Sequence, residues 1–89
     1  MNKKYKILGE VQGVFFRKST QEKAQGLGVK GWVKNESDGS VLTVIQGSEE
    51  QIRLMEEWLA KGPPKAKVTD LLLLNEGYDL KLDGFEIKQ

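Results

Sequence analysis

The segment Gly9-Glu10-Val11-Gln12-Gly13-Val14-Phe15-Phe16-Arg17 holds the residue types that could bind an anion. A strand-like run from Tyr5 to Val11 meets a glycine turn, and Arg17 follows at the start of a helix-like run. Successive N–H groups of the turn from Gln12 to Phe16 cannot all pair within a sheet. The first N–H groups of a helix also lack intrahelical acceptors. If these groups converge, they form an oxyanion or phosphate cradle. Gly13 removes the Cβ that would obstruct the turn or a ligand's approach. Arg17 adds a permanent charge on a planar fork suited to two phosphate oxygens. Taken alone, the pattern is also that of an ordinary strand–helix turn with a surface arginine, the commoner case.

Asn35 is the second candidate, in Gly31-Trp32-Val33-Lys34-Asn35. It shares strand parity with Val29, Gly31 and Val33, and an amide in an inward-facing row needs hydrogen-bond partners. Its carbonyl oxygen could hold a water, or its NH2 a substrate oxygen, but an amide is no general base near neutral pH. Equally, Asn35 could simply introduce the hairpin at Asp38-Gly39. Other candidates carry less. Ser19 and Thr20 have no histidine to activate them,. Asp38 and Asp70 show no pairing that a metal would require. Lys3, Lys4, Lys6 and Lys18 read as solvated charges. Trp58 reads as core, and Trp32, on the strand face opposite Asn35, as partly exposed.

Composition narrows the chemistry. The chain has 89 residues, 38% apolar and 30% charged, which suits one small domain spanning residues 1–89,. It contains no cysteine and no histidine. Thiolate nucleophiles, disulfides and zinc–thiolate sites are thereby excluded, as is an imidazole general base. A net charge of +1 argues against nucleic acid as a main partner,. No apolar run reaches membrane-span length, and Met1-Asn2-Lys3-Lys4 does not open a signal peptide, so a cytoplasmic location with no membrane partner is expected,.

The elements that must position these residues follow from periodicity. Residues 4–11 alternate as a strand, and Phe16, Thr20, Ala24 and Leu27 share one face of a helix over 16–27, with Gly26 and Gly28 as stop signals,. A second strand runs through Val29 to Asn35, Ser37-Asp38-Gly39 turns, and Ser40 to Gln46 returns,. Ser48 caps a second helix whose Ile52, Met55 and Leu59 recur on one side, and Gly62-Pro63-Pro64 stops it,. Ala66 to Leu74 is a fourth strand, and Leu71-Leu72-Leu73-Leu74 predicts burial on more than one side. Asn75-Glu76-Gly77 reads as a loop, and Gly84-Phe85-Glu86-Ile87 as a short last strand. The order predicts an α+β, ferredoxin-like βαββαβ sandwich: an antiparallel sheet, two helices on one face, and a short extra C-terminal strand.

Together the two segments resemble the acylphosphatase family. Gly9 to Arg17 matches its Gly-x-Val-Gln-Gly-Val-x-Phe-Arg signature. Gly31, Trp32, Val33, Lys34, Asn35, Gly39, Val41 and Gly47 match the second motif. Gly62-Pro63-Pro64 with Ala66 and Val68, and the closing Gly84 to Ile87, are similar to the family too. The resemblance implies hydrolysis of the carboxyl–phosphate bond of acyl phosphates, without metal or cofactor, by a ferredoxin-like sandwich. It implies that Arg17 and Asn35 are catalytic, that N–H groups from about Gly13 to Phe16 hold the phosphoryl oxygens with Arg17, and that Asn35 positions the water. The partners implied are an acyl phosphate and inorganic phosphate, with the protein a monomer. Glu10 departs from the family, standing where many members carry a basic residue. The end at Gln89, with no zinc-finger or transferase segment, predicts a stand-alone protein. A rival reading is a non-catalytic module binding RNA or a metabolite. That needs aromatics on the open sheet face, where only Trp32 qualifies.

Overall fold

The computed structural model describes all residues, 1–89. The chain runs β1 (Asn2–Glu10), α1 (Phe16–Leu27), β2 (Lys30–Asn35), β3 (Val41–Gln46), α2 (Glu49–Lys61), β4 (Lys67–Gly77) and β5 (Phe85–Lys88). The five strands form one sheet in the order β4-β1-β3-β2-β5. The βαββαβ strands pair antiparallel throughout, while the added β5 runs parallel to β2.

One sheet face carries the core. Tyr5, Ile7, Val33, Val41 and Ile45 alternate inward and meet Phe16 and Ala24 of α1 and Ile52, Met55 and Leu59 of α2. Burial of these apolar faces drives the helices onto the sheet. Close approach of the strands fixes one residue. Gly31 has φ +147°, and a Cβ there would sit 1.8 Å from the Val44 carbonyl oxygen. No side chain fits, so β2 can lie against β3 only with glycine at this point.

α2 begins with a complete capping box. The Ser48 side chain accepts from the Gln51 N–H, and the Gln51 side chain accepts from the Ser48 N–H,. Gln51 Nε2 also donates to the Leu27 carbonyl, tying the two helices together. Tyr5 Oη and Lys3 Nζ both reach the Glu56 carboxylate, so α2 is hydrogen-bonded to β1 as well as packed on it. Burial first, then the neighbouring Glu56 carboxylate, pushes the Tyr5 hydroxyl well above its ordinary pKa,.

Several expectations need correction. The Leu71–Leu74 run is not buried on both sides. Leu71 packs against the core, but Leu72, Leu73 and Leu74 are 42%, 46% and 49% exposed. β4 is an edge strand that the helices only partly cover, and Leu74 falls at a register break, since Lys4 pairs with Asn75 and Tyr5 with Leu73,. Asn75-Glu76-Gly77 is strand, paired with β1, rather than loop. Gly26 lies inside α1, and only Gly28 ends it. Trp58 is half-buried beside the core, its ring 5.9 Å from that of Phe16. Lys3 and Lys6 are ion-paired, with Glu56 (2.9 Å) and Asp38 (2.7 Å), rather than simply solvated.

Candidate active site

A pocket of ≈ 320 Å³ opens where β1 ends, α1 begins and β2 finishes. Val11, Gly13, Phe15, Phe16, Arg17, Lys18, Asn35 and Ile87 line it. The loop reaches this shape through two left-handed residues, Gly13 at φ +76° and Phe15 at φ +60°. Phe15 is not glycine, and αL costs such a side chain of order 1 kcal/mol. Phe15 is nonetheless 75% exposed at the pocket mouth, so packing does not explain it. Its conformation turns the chain directly into α1, where it occupies the N-cap position with no side-chain cap.

The result is a row of unclaimed donors. Between Gly13 and Lys18 no backbone N–H donates to a protein acceptor, and the first one taken up is that of Ser19, to the Phe15 carbonyl at 3.0 Å. Uncapped N–H groups at a helix N-terminus attract an anion through their partial charges. Arg17 lies in the first turn. Its Nη1 donates to the Lys88 carbonyl at 3.0 Å, so β5 holds the guanidinium in place. Gln21 Nε2 donates to the Phe85 carbonyl at 3.0 Å, fastening the same helix to the same strand.

Asn35 reaches the pocket from the end of β2, opposite Val41 in β3. Its Oδ1 is buried and accepts no hydrogen bond from the protein. Buried acceptors of this kind are uncommon, and one left unpaired costs about 1–3 kcal/mol. Gln12 links the two halves of the site. Its Nε2 donates to the Glu36 carbonyl (2.7 Å) and the Ser40 carbonyl (2.8 Å), the two ends of the β2–β3 hairpin. The loop carrying Gly13 is thereby hydrogen-bonded to the hairpin carrying Asn35.

Of the residues singled out in the sequence, Gly13, Phe15, Phe16, Arg17 and Asn35 line one pocket. Gln12 and Val14 do not line it. Gln12 acts through its side chain on the hairpin, and Val14 packs against the core. Glu10 points into solvent and lies 3.8 Å from Lys67, away from the pocket. Lys18, expected from the sequence to be only a solvated charge, lines the pocket, as does Ile87, which the sequence did not single out for the site. Lys18 adds a second cation, and its place beside Arg17 in the first helical turn was the available signal. Ile87 adds an apolar wall from the last strand, which no local pattern reveals. No cluster of three or more His, Cys, Asp or Glu side chains able to hold a metal forms anywhere in the chain. No helix is long and apolar enough to cross a membrane.

Comparison with known proteins gives the same reading along nearly the whole chain. The acylphosphatase family model matches residues 3–87. An acylphosphatase of Nitrosococcus oceani is 51% identical over 65 residues, 73% of each chain. Acylphosphatase-2 of Gallus gallus is 45% identical over 87 residues, covering 94% of this chain and 84% of that one. The crystal structure of acylphosphatase from Bacillus subtilis superposes with a TM-score of 0.94 at 32% identity, over 99% of this chain and 98% of the other. A match of two motifs, a full-length family profile and a superposable fold leaves one assignment: this chain belongs to the acylphosphatase family.

Proposed function

We propose that this protein hydrolyses acyl phosphates to carboxylate and inorganic phosphate, with the phosphoryl group held by the backbone N–H groups from Gly13 to Phe16 and by Arg17. Gln12 joins them through its support of the hairpin. Water attacks phosphorus in line with the bond to the carboxyl oxygen. That bond breaks, the carboxylate leaves with its electron pair, and both protons of the water stay on the phosphate oxygens. A carboxylate is a good leaving group, so the reaction needs positioning and charge stabilisation more than a strong base. This matches a pocket lined by no carboxylate, imidazole or thiol.

The single observation that carries the reading is the unpartnered, buried Oδ1 of Asn35 in the same pocket as the free N–H groups. An acceptor held there without a protein donor is suited to orient one O–H of a water toward a phosphorus gripped by the cradle. Arg17 and Asn35 are the catalytic residues in this reading. It is a single-domain, metal-independent enzyme that works as a monomer in the cytoplasm.

The test is benzoyl phosphate hydrolysis by the purified protein. Asn35→Ala is expected to lower kcat by roughly 10²–10³, the usual loss for one positioned group, while inorganic phosphate still inhibits at a similar concentration. Arg17→Ala is expected to damage both turnover and phosphate binding. A chelator should leave the rate unchanged. Full activity in Asn35→Ala would overturn the mechanism.

A further inference from the structure

The net charge of +1 conceals an uneven distribution. The sheet face turned away from the helices is built in paired rows. Glu86, Trp32, Val44 and Lys4 stand side by side across β5, β2, β3 and β1, as do Lys88, Lys34, Leu42 and Lys6. Lys30 occupies the next position of the same face on β2. These rows bring together Lys4, Lys6, Lys30, Lys34 and Lys88. Carboxylates meet them at the margins: Glu86 stands in the first row, Asp38 pairs with Lys6 at 2.7 Å, and Asp70 lies opposite Leu8 on the β4 side. Acidic residues gather instead on α2, as Glu49, Glu50, Glu56 and Glu57.

Three of those lysines surround one indole. Lys88 Nζ lies 4.7 Å from the Trp32 ring centroid, Lys4 Nζ 5.9 Å and Lys34 Nζ 6.0 Å. Neither Lys4 nor Lys88 has a carboxylate within ion-pair distance, and Lys34 has Glu36 at 3.7 Å. Leu42 and Val44 are buried although no helix covers this face. The β4–β5 segment comes onto the end of this face, where the Gln46 side chain is hydrogen-bonded to both main-chain groups of Leu80. Beside Leu42 and Val44 in the rows stand lysine stems and the indole, amphipathic side chains of the kind that cover apolar neighbours while their charged ends stay in water,.

We infer that this face binds single-stranded nucleic acid, with a base stacked on Trp32 and the flanking phosphates on Lys4, Lys34 and Lys88. An exposed cation–π contact is weak, and stacking of a base on an aromatic ring is stronger. A base can therefore displace the ammonium groups from the indole while they move a short distance onto phosphates. An acidic peptide would use the lysines and leave the indole idle. A duplex would present phosphates with its bases hidden. Single strands use both halves of the patch, as on other open sheets of this architecture. The surface lies on the sheet face opposite Asn35, so it is separate from the phosphoryl site.

The experiment is fluorescence anisotropy with a labelled oligouridylate and the full-length protein. Binding is expected in the tens-of-micromolar range at about 50 mM salt, weakening roughly tenfold by about 200 mM. Lys4→Ala is expected to lower the salt slope by about 1, and Trp32→Leu to weaken binding at least about fivefold. Both variants should keep benzoyl phosphate hydrolysis, which reports that they are folded. Lys88 is left intact, because its carbonyl holds Arg17. In Trp58→Phe protein, the remaining Trp32 emission should be quenched on binding. Absence of binding at low salt overturns the inference, as does unchanged affinity in either variant. Inorganic polyphosphate competing as well as the oligonucleotide, charge for charge, would also overturn it, since no base would then be recognised.

Discussion

Gln12 and Asn35 are both carboxamides, and they use their hydrogen-bonding capacity in opposite ways. The Nε2 of Gln12 is committed to two backbone carbonyls, whereas the Oδ1 of Asn35 is committed to none. The first arrangement stabilises and the second does not. Replacing Asn35 by Val removes the orphan acceptor and places a β-branched residue at a strand end. Thermal melting is expected to show Asn35→Val more stable by up to about 1 kcal/mol while turnover collapses, the usual relation between an active site and stability. Gln12→Ala is expected to lose about 1 kcal/mol of stability and to lower kcat roughly tenfold with little change in KM, because water and phosphoryl group are then less well aligned. Steady-state kinetics on benzoyl phosphate separates the two parameters. Asn35 was legible from strand parity together with its motif. The part played by Gln12 was not, because its acceptors are main-chain atoms in a distant segment that only the fold brings near.

At the scale of the elements, the β2–β3 hairpin is the piece that must not move. Lys6 of β1 pairs with Asp38 at its tip, and the Asp38 carboxylate also accepts from the Ser40 N–H and hydroxyl. Lys6 first, then Ser40, holds the Asp38 carboxyl well below the usual carboxylate range, and Asp38 raises Lys6 above its own,. A carboxylate whose folded pKa is depressed contributes stability that is present above its unfolded value, near pH 3.8, and is lost as pH falls below it,. The raised lysine contributes below about pH 10.5 and loses that contribution as pH climbs past it,. Acid denaturation followed by circular dichroism is therefore expected to be shallower between pH 4 and about 2 in Asp38→Asn than in the wild type. β4 presents a different problem. It is an eleven-residue edge strand with consecutive exposed leucines, the kind of edge that pairs with other chains. Leu73→Lys is expected to change stability by less than about 0.5 kcal/mol and to slow aggregation on heating, read by light scattering. The leucine run looked like core because hydrophobicity alone does not say which strand lies at the edge of a sheet.

At the scale of the molecule, site and core share a wall. Phe16 is buried, touches Trp58, and directly precedes Arg17 in the first turn of α1. Truncating it removes packing beneath the loop from Gly13 to Phe15 as well as core volume. Phe16→Ala is expected to cost about 3–5 kcal/mol in chemical denaturation, a large part of the stability of a domain this small. The strand order makes the arrangement possible. Placing β3 between β1 and β2 sets the end of β1, which carries the loop, level with the end of β2, which carries Asn35. β5 then closes the edge beside β2, where its first carbonyl holds Gln21 and its last holds Arg17.

By itself the sequence determined the α+β class, the order of helices and strands, the missing imidazole and thiol, and the two segments that meet in the pocket. These follow from local periodicity, composition and turn chemistry, which are properties of neighbouring residues. The tertiary structure alone decided which donors stay free, that Asn35 keeps an unpaired oxygen, that Gln12 and Lys88 brace the site, that Leu72 to Leu74 face solvent, and that five lysines and Trp32 share one face. Each of these depends on which strands become neighbours. That choice is made by burial of apolar surface over the whole chain, and no short window of sequence carries it.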